Sequence, residues 1–424
     1  MEKLRNNGRA GLLWLGNYFE TDMVYVAKSG FWLTLGQIFS SILALLLSIF
    51  FANYVSKDIY GEYKFVLSVT SILGAISLTG MGTVVIQEIA KGKEGVLKSA
   101  VETSLRWGIF TFIFGLLASL YYFINGNNLL GISMLVAGIS MPLINSFGLY
   151  GGYFSGKRNF RMSTVYWLIS QLIIDVGLVV VSIFSNSSLY LISIYFLLGV
   201  ITSIWSYFHI LTKYKLNQEN DSSMIGYGKH ISLMNFFGTL SNQLDKILVF
   251  HYLGAIDLAI YSFSQAIPEQ IKGSYKNLFA IALPKYAVLP DKDLRKSIIK
   301  KTGQLTIIST LIVILYIIIS PFIFKLLFPK YIESVIYSQI YILGLIAIPG
   351  ISLFGIYFQI KKATKTMYKL SITSNFVTMV LTFVLIYNFG LKGAVIENGL
   401  SWLIMLLINY YFFATHKEES LLPQ

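Results

Sequence analysis

Apolar runs long enough to cross a bilayer follow one another along almost the whole chain, and they restrict the fold more than any other feature. A membrane-crossing helix needs about 20 consecutive apolar residues. Runs of that kind can be drawn at 31–53, 63–85, 105–124, 129–150, 164–184 and 189–211. Six more lie at 231–252, 257–281, 303–320, 335–358, 370–388 and 392–413. Twelve such runs, with 55% hydrophobic and 12% charged residues, predict an all-α integral membrane protein rather than a soluble one. No large soluble domain fits between them.

Lys and Arg set the orientation. Of the 33 basic residues, 27 lie at the termini, in the connections after even-numbered runs or at the helix ends beside them. Five lie on the other side (Lys57, Lys64, Lys325, Lys330 and Lys392), and Lys246 lies inside a run. The positive-inside rule then predicts both termini in the cytoplasm. It also accounts for the net charge of +13 as topology signals and contacts with anionic lipids, with no nucleic-acid partner. The first run is long and lacks a small-x-small exit, so it reads as a retained helix and not as a cleaved signal. Ahead of it, in segment 1–29, Leu12, Leu13, Trp14, Leu15, Tyr18 and Phe19 can lay one face on the membrane surface.

Several chemistries are excluded by what the chain lacks. There is no cysteine, hence no disulfide, thiolate metal site or thiol nucleophile. The four histidines, His209, His230, His251 and His416, are scattered without metal-ligand spacing, and no cofactor is expected. No GxxxxGK[ST] loop for ATP is present. The outer connections at 125–128, 185–188 and 253–256 are little more than turns, which leaves no room for an outer catalytic domain.

The longest polar connector, Thr212–Lys229, divides the runs into two sets of six. The expected organisation is a cytoplasmic interfacial segment at 1–29, a six-helix bundle at 30–211, a linker at 212–229, a second bundle at 230–413 and a tail at 414–424. A shift of 198 residues places Tyr54–Tyr63 on Tyr252–Tyr261, each a turn between the first two runs of its half. With an even number of helices per half, such copies would be parallel repeats about an axis along the membrane normal.

The chain resembles the polysaccharide and oligosaccharidyl-lipid exporters, the Wzx-type flippases of the MOP superfamily, which also holds the MATE transporters and the lipid II flippase. In the second half the likeness rests on Asp245-Lys246, the turn from Tyr252 to Tyr261, then Leu283, Pro284 and Tyr286. It continues through Phe328-Pro329-Lys330-Tyr331 and the FGxxGA step at Phe389–Ala394. In the first half it rests on Tyr60-Gly61-Glu62-Tyr63 and the small-residue step Gly80–Thr83, so that it spans about residues 30 to 413. Order and spacing carry it, not any single motif. The resemblance implies two six-helix bundles around a central cavity. It also implies outward movement of undecaprenyl-pyrophosphate-linked oligosaccharide units across the bacterial inner membrane, for O-antigen, capsule or exopolysaccharide assembly.

Within that frame the polar residues inside the runs are the candidates. Charges at membrane depth are costly and face a protein interior or a watery path. In the seventh run, Asn235, Thr239, Asn242 and Lys246 recur at helical spacing on one face, with Asp245 at its edge. Lys246 is the candidate for attracting the pyrophosphate, with Asn235 and Asn242 beside it. Asp245 reads either as a structural partner or as a proton carrier. Thr164, Gln171, Asp175 and Ser182 form a second stripe, in which Asp175 is a candidate for ion coupling or a hydrogen-bonded structural acid.

Glu397, flanked by Gly393 and Gly399, has the same two readings, and the glycines suit close helix packing. Lys272 and Lys276, one turn apart at the inner end of the eighth run, can project towards a phosphate. Glu88, Lys91, Lys93, Arg106, Lys157, Arg158 and Arg161 sit near inner helix ends, where most are expected to be solvated or lipid-facing.

The leading expectation is a transporter, not an enzyme, working by alternating access, with membrane lipids, the polysaccharide polymerase and its chain-length machinery as candidate partners. The alternatives are a MATE-like cation-coupled drug antiporter, which would favour acids in the cavity, and a polytopic polymerase or ligase, which the short outer connections disfavour.

Overall fold

A computed structural model describes residues 23–220, 224–287, 290–361 and 363–415, and among them there is no β-strand. Fourteen α-helices follow in order: α1 (Met23–Tyr54), α2 (Lys57–Ala75), α3 (Met81–Ala90), α4 (Val96–Ile124) and α5 (Asn128–Phe147). Next come α6 (Tyr150–Gly156), α7 (Phe160–Phe184), α8 (Ser188–Lys213), α9 (Met224–Leu253) and α10 (Ala255–Ala287). The chain continues with α11 (Asp291–Leu327), α12 (Ser334–Ile342), α13 (Ile348–Ile360) and α14 (Thr364–Thr415).

These helices make twelve passes, in agreement with the apolar runs. Among the described residues, eight stretches are long and apolar enough to cross a membrane, including the joined pairs Asn128–Gly156 and Ser334–Ile360. One of the eight, Lys365–Thr415, is two passes, because Gly390 interrupts α14 at φ 56° and ψ −133°. That backbone region is open essentially to glycine alone. A Cβ added to Gly393 would fall 1.9 Å from the carbonyl of Leu385. Eight residues along one straight helix would separate these positions by about 12 Å. The remaining passes are α2 with α3, α9 and α10, which carry more charge: Lys246 and Asp245 in α9, Asp257, Glu269 and Lys272 in α10.

The chain forms two compact units. Residues 23–262 with Leu327–Lys330 make the first, and Phe263–Leu326 with the described residues from Tyr331 onward make the second. Packing thus divides the chain after Ser262, whereas the polar connector lies at 212–229. The reason is the close fit of α9 against α2 and α3. Phe65 stacks on Phe250 at 3.9 Å between ring centroids, and a Cβ on Gly80 would meet the carbonyl of Gly228 at 2.3 Å.

In the first unit the core gathers Met81, Val84, Val85, Val96, Leu97 and Phe154 from α3, α4 and α6, with Tyr207 and Ile210 from α8. In the second it gathers Leu294, Ile298 and Val313 from α11 with Leu353, Tyr357 and Phe358 from α13. Apolar side chains such as Phe114, Leu117, Ile173 and Val176 remain exposed on the helix flanks, the surface that lipid covers in a membrane protein.

The α3–α4 connection of the first unit is tied more tightly than expected. Glu88 is fully buried, receives Lys91 Nζ at 2.6 Å and lies 3.5 Å from Lys93 Nζ. Glu94 is buried too, paired with Lys157 and accepting from the backbone N–H of Asn217 at 3.1 Å. The expectation of a solvated charge here fails for Glu88, because a desolvated carboxylate needs partners and Lys91 and Lys93 supply them, while the connector after α8 folds back to Glu94. Asn217 Nδ2 donates to Gly92 O at 2.7 Å, the Gly95 N–H to Glu219 O at 2.9 Å, and Ser99 Oγ to Asn220 Oδ1 at 3.1 Å.

Candidate functional site

The second pass is broken in mid-course. After Ala75 the helix stops, Leu78 takes φ 59° although it is 5% exposed and not glycine, and the helix resumes at Met81. Irregular backbone at membrane depth leaves polar groups unpaired, at a cost of several kcal/mol each, and persists only where protein or a wet cavity satisfies them. Here neighbouring helices do so. Asn145 Nδ2 from α5 donates to Gly74 O at 2.8 Å, Ser104 Oγ from α4 to Ser77 O at 2.9 Å, and Thr111 Oγ1 to Leu73 O at 3.2 Å. On the far side of the break the Gly80 N–H donates to Ser232 Oγ of α9 at 2.9 Å.

A second break interrupts the fourth pass between α5 and α6, at Gly148 and Leu149. The two breaks meet. Ser77, Leu78 and Thr79 from one, and Gly148, Leu149 and Tyr150 from the other, line a cavity of 430 Å³ inside the first unit. Trp167, Ser170 and Ile174 of α7 and Tyr195, Thr202 and Ser203 of α8 complete most of its wall. No lining side chain carries a charge.

The acid nearest in sequence to that wall is Asp175, next to the lining Ile174. Gln171 hydrogen-bonds the Asp175 carboxyl and in turn accepts from Ser40 Oγ at 2.7 Å. Asp175 Oδ2 is buried with no hydrogen-bond partner among the described residues. The stripe of Thr164, Gln171, Asp175 and Ser182 is not one watery face: Thr164 donates to Trp32 O at 3.4 Å, and Ser182 to its own helix at Leu178 O.

On α9 the adjacent charges differ in setting. Asp245 is 8% exposed, accepts from Tyr261 Oη at 2.7 Å through Oδ2 and from the Lys246 backbone N–H at 2.8 Å through Oδ1. Lys246 Nζ lies 4.0 Å from Asp245 Oδ1 and 3.5 Å from Gln243 Oε1, with its side chain about one-fifth exposed at 21%. A weakly held ammonium beside a firmly held carboxylate leaves Lys246 the more available of the two. Asn242 is exposed. Asn235, also exposed, donates to Thr79 Oγ1 at 3.2 Å, which connects α9 to a residue of the cavity wall.

In the second unit, Lys272 Nζ lies 2.9 Å from Glu269 Oε1 and 4.5 Å from the ring centroid of Trp402. Tyr341 Oη donates to the same Glu269 oxygen at 2.5 Å. Sequence reasoning singled out Lys272 and missed Glu269 and Tyr341, although Glu269 stands one helical turn before Lys272. The side chain of Lys276 lies outside the described residues. Glu397 is buried and accepts from Ser401 Oγ at 2.6 Å. Gly399 faces Gly344 at the packing distance expected of it, while Gly393 serves the turn against Leu385.

The cavity itself was not foreseen. Its sequence signals are Ser77–Thr83 (SLTGMGT) and Gly148–Gly152 (GLYGG), small-residue interruptions within apolar runs.

A family model described as polysaccharide biosynthesis protein matches residues 26–284, more than half of the chain. No curated protein matches it. Among solved structures, a multidrug resistance MATE family transporter of the MOP superfamily in an inward-facing conformation aligns with TM-score 0.69 at 13% identity. That alignment covers 88% of this chain and 94% of the other. The lipid II flippase MurJ, inward closed, aligns with TM-score 0.65 at 14% identity, over 90% of this chain and 87% of that one. A Pyrococcus furiosus MOP superfamily transporter, described as having a binding pocket of reversed polarity, aligns with TM-score 0.60 at 12% identity over 92% and 94%. These likenesses establish the transporter fold, with twelve helices.

Proposed function

Because this chain belongs to the polysaccharide biosynthesis protein family, we propose that it is a flippase for lipid-linked oligosaccharide. It moves undecaprenyl-pyrophosphate-linked repeat units from the cytoplasmic to the outer leaflet of a bacterial inner membrane by alternating access, for assembly of O-antigen, capsule or exopolysaccharide. The observation that carries this reading is the family match over 26–284. The fold shared with a lipid II flippase supports it.

In this mechanism the polyprenyl tail stays in lipid while the head group crosses along a polar path, since a pyrophosphate cannot enter hydrocarbon unaided. Lys246 attracts the pyrophosphate, with Asn242 and Asn235 on the same helix and Lys272 and Lys276 at the inner end of α10. Asp175, Asp245 and Glu397 are the acids for ion coupling or for holding the bundles. The excess of basic residues on one side supports cytoplasmic termini. The polymerase and chain-length machinery are the proposed partners after release.

Reconstitution decides. Proteoliposomes loaded with undecaprenyl-pyrophosphate-linked oligosaccharide should show chain-dependent transfer of the sugar between leaflets, read by its accessibility to an added sugar-modifying enzyme. The fold match to multidrug transporters favours a second reading, cation-coupled drug export. Gradient-driven export of a hydrophobic cation without any sugar transfer would establish that reading and reject ours.

A further inference from the structure

We propose that the cavity between the two broken helices of the first unit is a binding subsite for neutral glycosyl residues, separate from the charged side chains of α9 and α10. The proposal rests on the flippase reading, whose substrate it divides into a charged part and an uncharged part.

Three features of the wall point to this class of ligand. With no charged side chain lining it, the cavity offers no counter-ion to a pyrophosphate or to a cationic drug. The rest of its surface is mostly apolar, with a few small polar groups set into it. Ser170, Ser203 and Tyr195 bring hydroxyls to it, and Asn145 an amide whose Nδ2 is spent on Gly74 O. Hydroxyls and an amide at membrane depth suit a partner that brings hydroxyls of its own. Aromatic faces stand among them: Tyr150, Trp167 and Tyr195 line the same space. A sugar ring combines apolar C–H faces with a rim of hydroxyls, which matches aromatic planes interleaved with small polar groups.

The third feature is backbone strain. Leu78, in the left-handed region without being glycine, is held at the cavity wall. Such conformations are strained and collect at ligand sites. The volume of 430 Å³ falls within the range of about 300–1,000 Å³ usual for small-molecule sites, enough for one or two sugar rings and not for a whole repeat unit.

The absence of cysteine makes the test direct. Ser203→Cys and, separately, Ser170→Cys give single-cysteine full-length chains with minimal change of side-chain size. Asn186→Cys, at an exposed turn, serves as control. Purified in detergent, each is labelled with a small methanethiosulfonate in the presence of N-acetylglucosamine, galactose, lactose, inorganic pyrophosphate or tetraphenylphosphonium.

The proposal expects at least one neutral sugar to slow labelling at Ser203→Cys or Ser170→Cys saturably, by about fivefold at four times its dissociation constant. Asn186→Cys should be unaffected and pyrophosphate without effect. Labelling that no sugar slows, or that tetraphenylphosphonium or pyrophosphate slows instead, overturns it. Transfer by the unmodified chain in proteoliposomes is measured in parallel. Transfer without sugar protection rejects the subsite alone, and sugar protection without transfer of lipid-linked oligosaccharide rejects the flippase reading alone.

Discussion

Asn145 Nδ2 donates to the carbonyl of Gly74 across 2.8 Å, beside the Ser77 N–H at 3.0 Å, so that α5 is tied to α2 where it breaks. Asn145→Leu keeps the size of the side chain and removes the donor. An intramolecular hydrogen bond in a membrane protein contributes about 1 kcal/mol. The variant should melt at lower temperature in detergent, and an unchanged melting curve would show that the break is held by its other bonds.

A paired substitution tests the fit of α9. Gly80→Ala places a methyl 2.3 Å from Gly228 O and 2.8 Å from Ser232 N, both backbone atoms that cannot swing aside. Overpacking of this kind costs about 1–3 kcal/mol. Gly82→Ala, two residues on in α3, meets nothing within 4 Å and gains helix propensity. Membrane abundance and thermal stability should fall for the first and hold or rise for the second. Equal behaviour of the two would be inconsistent with the packing described.

Lys246→Ala should impair export of surface polysaccharide in a strain lacking its own copy, with the amount of protein in the membrane unchanged. The ammonium is only loosely engaged, at 4.0 Å from Asp245 Oδ1, so its removal leaves little behind to destabilise. Full export by this variant would end the head-group role. Tyr261→Phe, which takes a 2.7 Å bond from a buried carboxylate, should by contrast lower stability.

Coupling through a carboxylate is tested by Asp175→Asn and Asp245→Asn. If either carries protons, the asparagine variant should transport at one rate whether or not a pH gradient is applied, while the unmodified chain responds to it. A response that survives in both variants removes both from the coupling step.

The passes were legible because twenty apolar residues leave the backbone one solution in lipid, and the charges of α9 stood out for the same reason. Their division of labour did not. Asp245 and Tyr261 are 16 residues apart, and only the turn at Gly254, at φ 93°, brings the hydroxyl onto the carboxylate. The breaks were hidden for a related cause. Ser77, Thr79 and Gly148 are small and compatible with helix, and what opens the backbone is the set of donors on α4 and α5 that satisfy it. Glu88 misled because charge near a helix end usually means water, whereas here a buried carboxylate is held by Lys91 and Lys93.

The connector after α8 has a mechanical consequence. Its bonds extend to Asn220, which accepts from Ser99 of α4, and α9 begins at Met224, four residues on. Four extended residues span at most about 14 Å. The segment is therefore a short leash: while Asn217, Glu219 and Asn220 keep their grip, α9 can pivot about its first turn but cannot slide away from α3 by more than that length, whatever its other end does.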